Sequence, residues 1–177
     1  LDLLSQNTLD VAAQNRLITT SITQLQQTNP DSRIILILDN PDVLLATAST
    51  NTITLNATIM NLRSLAHTTI LTAAADLPLI SATAPSGSIH VGQATPLEFD
   101  CASFIAFQAH NARVVMSARE LATGAAKDIS GVLRVTRGGD AYNLDAESSS
   151  EIREAELQYL VQRDGIVKVF SRGADVN

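Results

Sequence analysis

Between residues 8 and 28 the apolar residues Val11, Ile18, Ile22 and Leu25 recur at helical intervals among Gln14, Asn15, Gln24, Gln26 and Gln27. This pattern predicts an amphipathic helix, and Asn29 with Pro30 stops it. Residues 34–38 are an unbroken apolar run, Ile34, Ile35, Leu36, Ile37 and Leu38, three of them β-branched, which predicts a strand buried on both faces. Asp39, Asn40 and Pro41 close it with turn chemistry. Leu55, Ile59 and Leu62, at spacings of four and three, predict a second helix over residues 52–67, and residues 68–74 form the next strand candidate.

Residues 77–96 hold Pro78, Pro85, Gly87, Gly92 and Pro96 and read as a long surface loop or irregular crossover. A third helix is expected over residues 97–111, with Leu97, Cys101, Phe104, Ile105 and Gln108 along one side. Residues 112–117, around Val114, Val115 and Met116, read as a short buried strand. The pattern then changes: Val132, Leu133 and Val135 within residues 131–137, and Leu157, Tyr159 and Val161 further on, stand between polar neighbours. Asp164-Gly165 is a two-residue type I′ hairpin signal, which requires positive φ at both positions, and Val167, Val169 and Phe170 form the return strand. Helices alternating with buried strands imply an α/β fold with a mostly parallel central sheet flanked by helices, and the final run of strands implies antiparallel strands at its C-terminal edge.

The length, 177 residues, suits a single domain spanning residues 1–177. Hydrophobic residues make up 45% and charged residues 17%, enough apolar material for a core and too little charge for a disordered chain. Aromatics are only 3% with no Trp, which argues against the base-stacking platforms that single-strand binders and RRM domains build from Phe and Tyr. The net charge of −6 argues against nucleic-acid binding over the whole surface, though not against a local basic patch. One cysteine, Cys101, and three histidines, His67, His90 and His110, exclude an intrachain disulfide and a Cys/His zinc cluster, so no metal is expected and a reducing compartment is. No apolar run approaches the length of a membrane span. The first residue is Leu rather than Met, so the sequence is expected to start inside a longer gene product or to have had disordered parts removed.

Few residues suggest chemistry. Cys101 and His110 are nine residues apart, which places them on opposite sides of one helix and prevents a dyad. The plainer reading is a small buried Cys and a helix-end His. Asp39 follows an apolar strand, as do carboxylates that hold Mg²⁺ in NTPases, although with Asn40 and Pro41 beside it a turn-forming role is favoured about two to one. Gly87 and Gly92 have the spacing of a phosphate-binding loop, but Gln93 and Ala94 stand where Lys and Ser or Thr are needed, so that match fails at its chemistry. Between residues 113 and 137 five cations, Arg113, Arg119, Lys127, Arg134 and Arg137, face two anions, Glu120 and Asp128, a local balance of +3 in an acidic chain. Arg119 and Lys127 fall in residues 119–130, read as a loop leaving the carboxyl end of a strand, the edge where α/β sheets bind ligands. Glu147, Glu151, Glu154 and Glu156 read as a solvated linker.

Three segments carry a resemblance. Residues 109–139, AHNARVVMSARELATGAAKDISGVLRVTRGG, resemble the signature region of the Elongator protein 6 family. Residues 34–46, IILILDNPDVLLA, are similar to that family's strand and following turn, and residues 159–173 to its terminal hairpin. Together they cover about a third of the chain in the right order.

The resemblance implies a RecA-like fold, from the P-loop NTPase superfamily but without a functional phosphate-binding loop. It implies a subunit that is not an enzyme and binds no cofactor, placed with Elongator proteins 4 and 5 in a hetero-hexameric ring of two copies each. That ring is an accessory part of Elongator, which modifies the wobble uridine of tRNA, and it binds and releases tRNA in the cytoplasm and also the nucleus. The family has a first, central strand before the point where this sequence begins, so the chain is expected to lack it. In RecA-like rings the loop after the strand at residues 114–117 faces the pore. The resemblance therefore implies that Arg119 and Lys127 meet RNA phosphate, with Arg134 and Arg137 on or just past the next strand. The alternative is a RecA-like ATPase hydrolysing ATP at a subunit interface, with Asp39 holding Mg²⁺.

Overall fold

The structure, a computed structural model, describes residues 10–48, 50–76, 94–121, 126, 128–143 and 152–171. They form a mixed α/β arrangement in two compact units, residues 1–108 and 109–177, with a two-stranded parallel sheet in the first and a four-stranded antiparallel sheet in the second. The predicted loop at 77–93 lies outside the described residues, as do Gly87, Gly92, Gln93 and His90.

The first unit opens with α1 (Val11–Thr28). Asp10 caps it, its carboxylate accepting from the Ala12 N–H at 2.9 Å, which satisfies one of the amides that no helical carbonyl can reach. Strand β1 (Ile35–Leu38) follows, then a short helix α2 (Val43–Thr47), α3 (Thr52–Leu65) and strand β2 (Thr68–Leu71). β1 and β2 run parallel, Ile35 opposite Thr68 and Leu38 opposite Leu71, and a parallel pair needs a long crossover, supplied here by α2 and α3. Asn51 caps α3 by accepting from the Thr54 N–H at 2.9 Å. Helix α4 (Pro96–His110) buries Cys101, Ala102, Phe104 and Gln108.

The core gathers Val11, Leu38, Leu44, Leu55, Ile59 and Phe104, with Leu36, Leu71 and Ile105 packed against it. Phe104 is 0% exposed. The expectation that β1 is buried on both faces is corrected. Leu36 and Leu38 turn to the core, whereas Ile35 and Ile37 on the other face are 60% and 65% exposed, and Ile70 beside them on β2 is also exposed. Side chains alternate across a strand, so a two-stranded sheet with helices on one side covers only every second residue.

The second unit is a meander, β3 (Val114–Glu120), β4 (Gly131–Arg137), a 3₁₀ turn (Gly139–Asn143), β5 (Ala155–Val161) and β6 (Val167–Ser171), paired in chain order. β3 is not the short buried strand expected at 112–117. It runs on to Glu120 as an edge strand, mostly exposed, because its full length pairs antiparallel with β4, from Val114 opposite Arg137 to Glu120 opposite Gly131. The acidic stretch read as a linker is corrected in part: Glu154 accepts from the Arg137 N–H at 3.1 Å and Glu156 lies inside β5, while Glu147 and Glu151 lie outside the described residues. The β5–β6 turn also differs from the two-residue form. Gln162 and Ile166 close it by a hydrogen bond of 2.9 Å, Gly165 donates to the Gln162 carbonyl at 3.0 Å, and only Gly165 has positive φ, at 85°. This is a three-residue loop with a glycine bulge, in which Asp164 keeps an ordinary φ and accepts from the Ile166 N–H at 3.1 Å.

Candidate nucleic-acid interface

Strand register decides which of the predicted cations share a surface. In β3 and β4 Ser117 stands opposite Arg134 and Arg119 opposite Val132, so Arg119 and Arg134 are diagonal neighbours on one face, within reach of the same ligand. Both are exposed. Arg137, three residues beyond Arg134, falls on the opposite face by the period of two. Its Nε donates to the Ile152 carbonyl at 3.4 Å, which ties the end of β4 to the start of β5. Lys127 lies outside the described residues. The structure therefore brings together two of the four predicted cations, separates the third, and corrects the position of Arg119, which sits inside β3 rather than in a loop after it.

The two faces of this sheet differ in chemistry. The Arg119 face continues across β5 and β6 through Gln158 and Phe170, which are paired, with Glu156 directly opposite Arg134 and Lys168 two residues before Phe170. The other face is mostly apolar, with Glu120 and Arg137 at the ends of its strands: Met116, Val135 and Leu157 lie on it, and Val161, Val167 and Val169 are about half exposed. Gly131 admits the Tyr159 ring on that face, since a Cβ there would overlap the ring. Gly138 lets the chain leave β4 against the Ala112 carbonyl, which a Cβ would also overlap. Sequence reasoning missed Gln158, Lys168 and Phe170, although alternation around the Asp-Gly turn was a signal that could have placed them.

The second candidate edge is the carboxyl end of β1 and β2. Asn40 adopts a left-handed φ of 47°, a conformation Asn tolerates. Its N–H donates to Thr72 Oγ1 at 3.0 Å, and Thr72 Oγ1 donates to Asp39 Oδ1 at 2.5 Å. Asp39 thus holds the two strand ends together, in keeping with the turn-forming role. Asp42 is buried, with Oδ2 accepting from the Ala74 N–H at 3.3 Å and Oδ1 without a partner among the described residues. Nearby on α4, Asp100 Oδ1 accepts from the buried Thr52 hydroxyl at 2.8 Å. Burial, reinforced by the negative charges of Asp42 and Asp100, pushes the Cys101 thiol up from its ordinary value, the reverse of what a nucleophile needs. His67 and His110 are both exposed helix-end residues, and among the described residues no three His, Cys, Asp or Glu side chains group to hold a metal ion. No helix among the described residues is long and apolar enough to cross a membrane.

Comparison of the chain with known protein families and with curated proteins finds no match.

Proposed function

We propose that the chain is a non-catalytic, RecA-like subunit of the Elongator ring, assembling with Elongator proteins 4 and 5 and contacting tRNA during wobble-uridine modification. The observation that carries the RNA part is the placement of Arg119 and Arg134, both exposed, on one face of the sheet. The fold part draws support from the parallel β1–β2 pair with its helical crossover, followed in the chain by antiparallel strands, and the choice of family rests on the three sequence segments. Phosphate contacts of this kind give binding that weakens with salt and has little base preference.

Two measurements test it. The mass in solution of the chain alone and with the two proposed partners should change from a small species to a hexamer. Arg119→Glu with Arg134→Glu should weaken tRNA binding by the assembled ring while leaving that mass unchanged; unaltered affinity at low salt refutes the RNA role.

A second reading keeps ATP hydrolysis at a subunit interface. The position of Asp39 at the carboxyl end of parallel β1, the ligand edge of such sheets, favours it. Asp39→Ala abolishes ATP turnover by the ring under that reading and leaves it nearly unaffected under the first.

A further inference from the structure

The geometry points to a more specific surface: the cation-bearing face of the four-stranded sheet, with Phe170 and Lys168 on edge strand β6 and Arg134 and Arg119 further across it on β4 and β3, binds single-stranded RNA by stacking an unpaired base on Phe170. The inference rests on the RNA-binding reading above and adds to it the kind of RNA and two residues.

Its basis is the register. Arg119 on β3, Val132 on β4, Gln158 on β5 and Phe170 on β6 form one row across the sheet. Arg134 lies in the next row and Lys168 in the row on the other side. Neighbouring strands are about 4.8 Å apart, so the cations extend over roughly 14 Å from β3 to β6, a stretch of strand rather than a single phosphate. On these four strands this face carries three cations and one carboxylate, Glu156, which faces Arg134. Phe170 is partly exposed there. A low total of aromatic residues argues against an extended platform, but stacking one base needs one ring, and this ring stands on β6 beside Lys168, with Arg134 and Arg119 further along the same face. An aromatic π-face flanked by phosphate partners is the combination by which proteins hold single strands without base preference. An acidic protein segment is the other class of partner that cations attract, and the aromatic ring gives it nothing comparable. The opposite face, with Met116, Val167 and Val169 exposed, has the apolar character that protein contacts favour.

The test uses the full chain with a short single-stranded RNA carrying one 2-aminopurine, whose fluorescence falls on stacking, and with a duplex of the same sequence. The expected result is tighter binding of the single strand, with quenching. Phe170→Leu should lose quenching and about 5-fold or more in affinity, Phe170→Tyr should keep both, and Lys168→Glu should weaken binding and flatten its salt dependence. Circular dichroism checks that each variant is folded. If Lys168→Glu or the Arg119/Arg134 reversal weakens binding while Phe170→Leu changes neither affinity nor quenching, stacking is overturned and the phosphate contacts stand. If neither RNA binds the chain while the assembled ring still binds tRNA, this inference is overturned and the reading above stands. If a poly-glutamate peptide binds as tightly as the RNA and depends on the same cations, the surface is a protein site and the inference is overturned.

Discussion

The side-chain amide of Gln108 donates to Asn56 Oδ1 across 2.8 Å, and both residues are buried. The bond joins α3 to α4 in the interior, where an amide without its partner bears the full loss of its hydration. Gln108→Leu or Asn56→Leu alone should therefore lower stability by about 1–3 kcal/mol, and the double variant should recover much of that loss. Urea midpoints at unchanged slope measure it. A double variant that loses the sum of the single effects would show that shape, not the amide pair, matters at this contact.

The start of α4 makes a reciprocal cap. The Thr95 N–H and hydroxyl donate to Glu98 Oε2 at 2.7 and 2.8 Å, and the Glu98 N–H donates to Thr95 Oγ1 at 3.3 Å, with Pro96 between them at a position that needs no N–H. Thr95→Ala should cost about 1 kcal/mol. The Thr95 backbone N–H, and then its hydroxyl, hold the Glu98 carboxyl below its ordinary value of 4.5. A carboxylate depressed in the folded state contributes stability above the unfolded value and loses it as pH falls through the folded one. Glu98→Gln should therefore be less stable than the parent at neutral pH, and the difference should close below about pH 4.5. A difference that stays constant across that range would mean the carboxylate's charge contributes nothing to the cap.

How far the sequence reached depended on whether the information was local. Helices α1, α3 and α4 were legible because their core faces repeat at 3.6 residues, and β4 to β6 because their faces alternate; each is found within a few residues of its expected place. Helix α2 is five residues long, too short for a period to show. The extent of β3 depends on Glu120 meeting Gly131, and the exposure of Ile35 and Ile37 on what covers β1. Neither is written in the segment itself. At the candidate interface Arg119 and Arg134 were legible as cations, but their adjacency is a matter of register. The separation of Arg137 from Arg134 was available from parity alone, since residues three apart in a strand point to opposite faces.

Cys101 supplies a third prediction. Its thiol is buried on α4, and that burial, with the charges of Asp42 and Asp100, raises it above its ordinary value near 9.0. In the folded protein it should stay protonated and react slowly with disulfide reagents through neutral pH, then react at once on unfolding. Asp42→Asn, which removes a nearby charge, should bring the titration down. Thiolate absorbance against pH measures both, and a thiol that ionises near neutrality would contradict the burial seen on α4.

Ile37 and Leu38 are adjacent in β1 and face opposite ways, one 65% and the other 8% exposed. Parallel strands are usually covered on both faces, and β1 here is covered on one. Ile37→Lys should therefore change the stability of the isolated chain by no more than about 0.5 kcal/mol, whereas Leu38→Ala, which empties a core position, should cost about 2–5 kcal/mol. Thermal or urea unfolding separates the two. The same pair bears on assembly, because a face holding Ile35, Ile37 and Ile70 is costly to leave in water. If a ring partner covers that face, Ile37→Lys folds normally alone and fails to shift to the mass of the hexamer when the partners are added. If Ile37→Lys unfolds the isolated chain as Leu38→Ala does, β1 is enclosed on both sides within the chain itself, and the one-sided packing described for it is wrong.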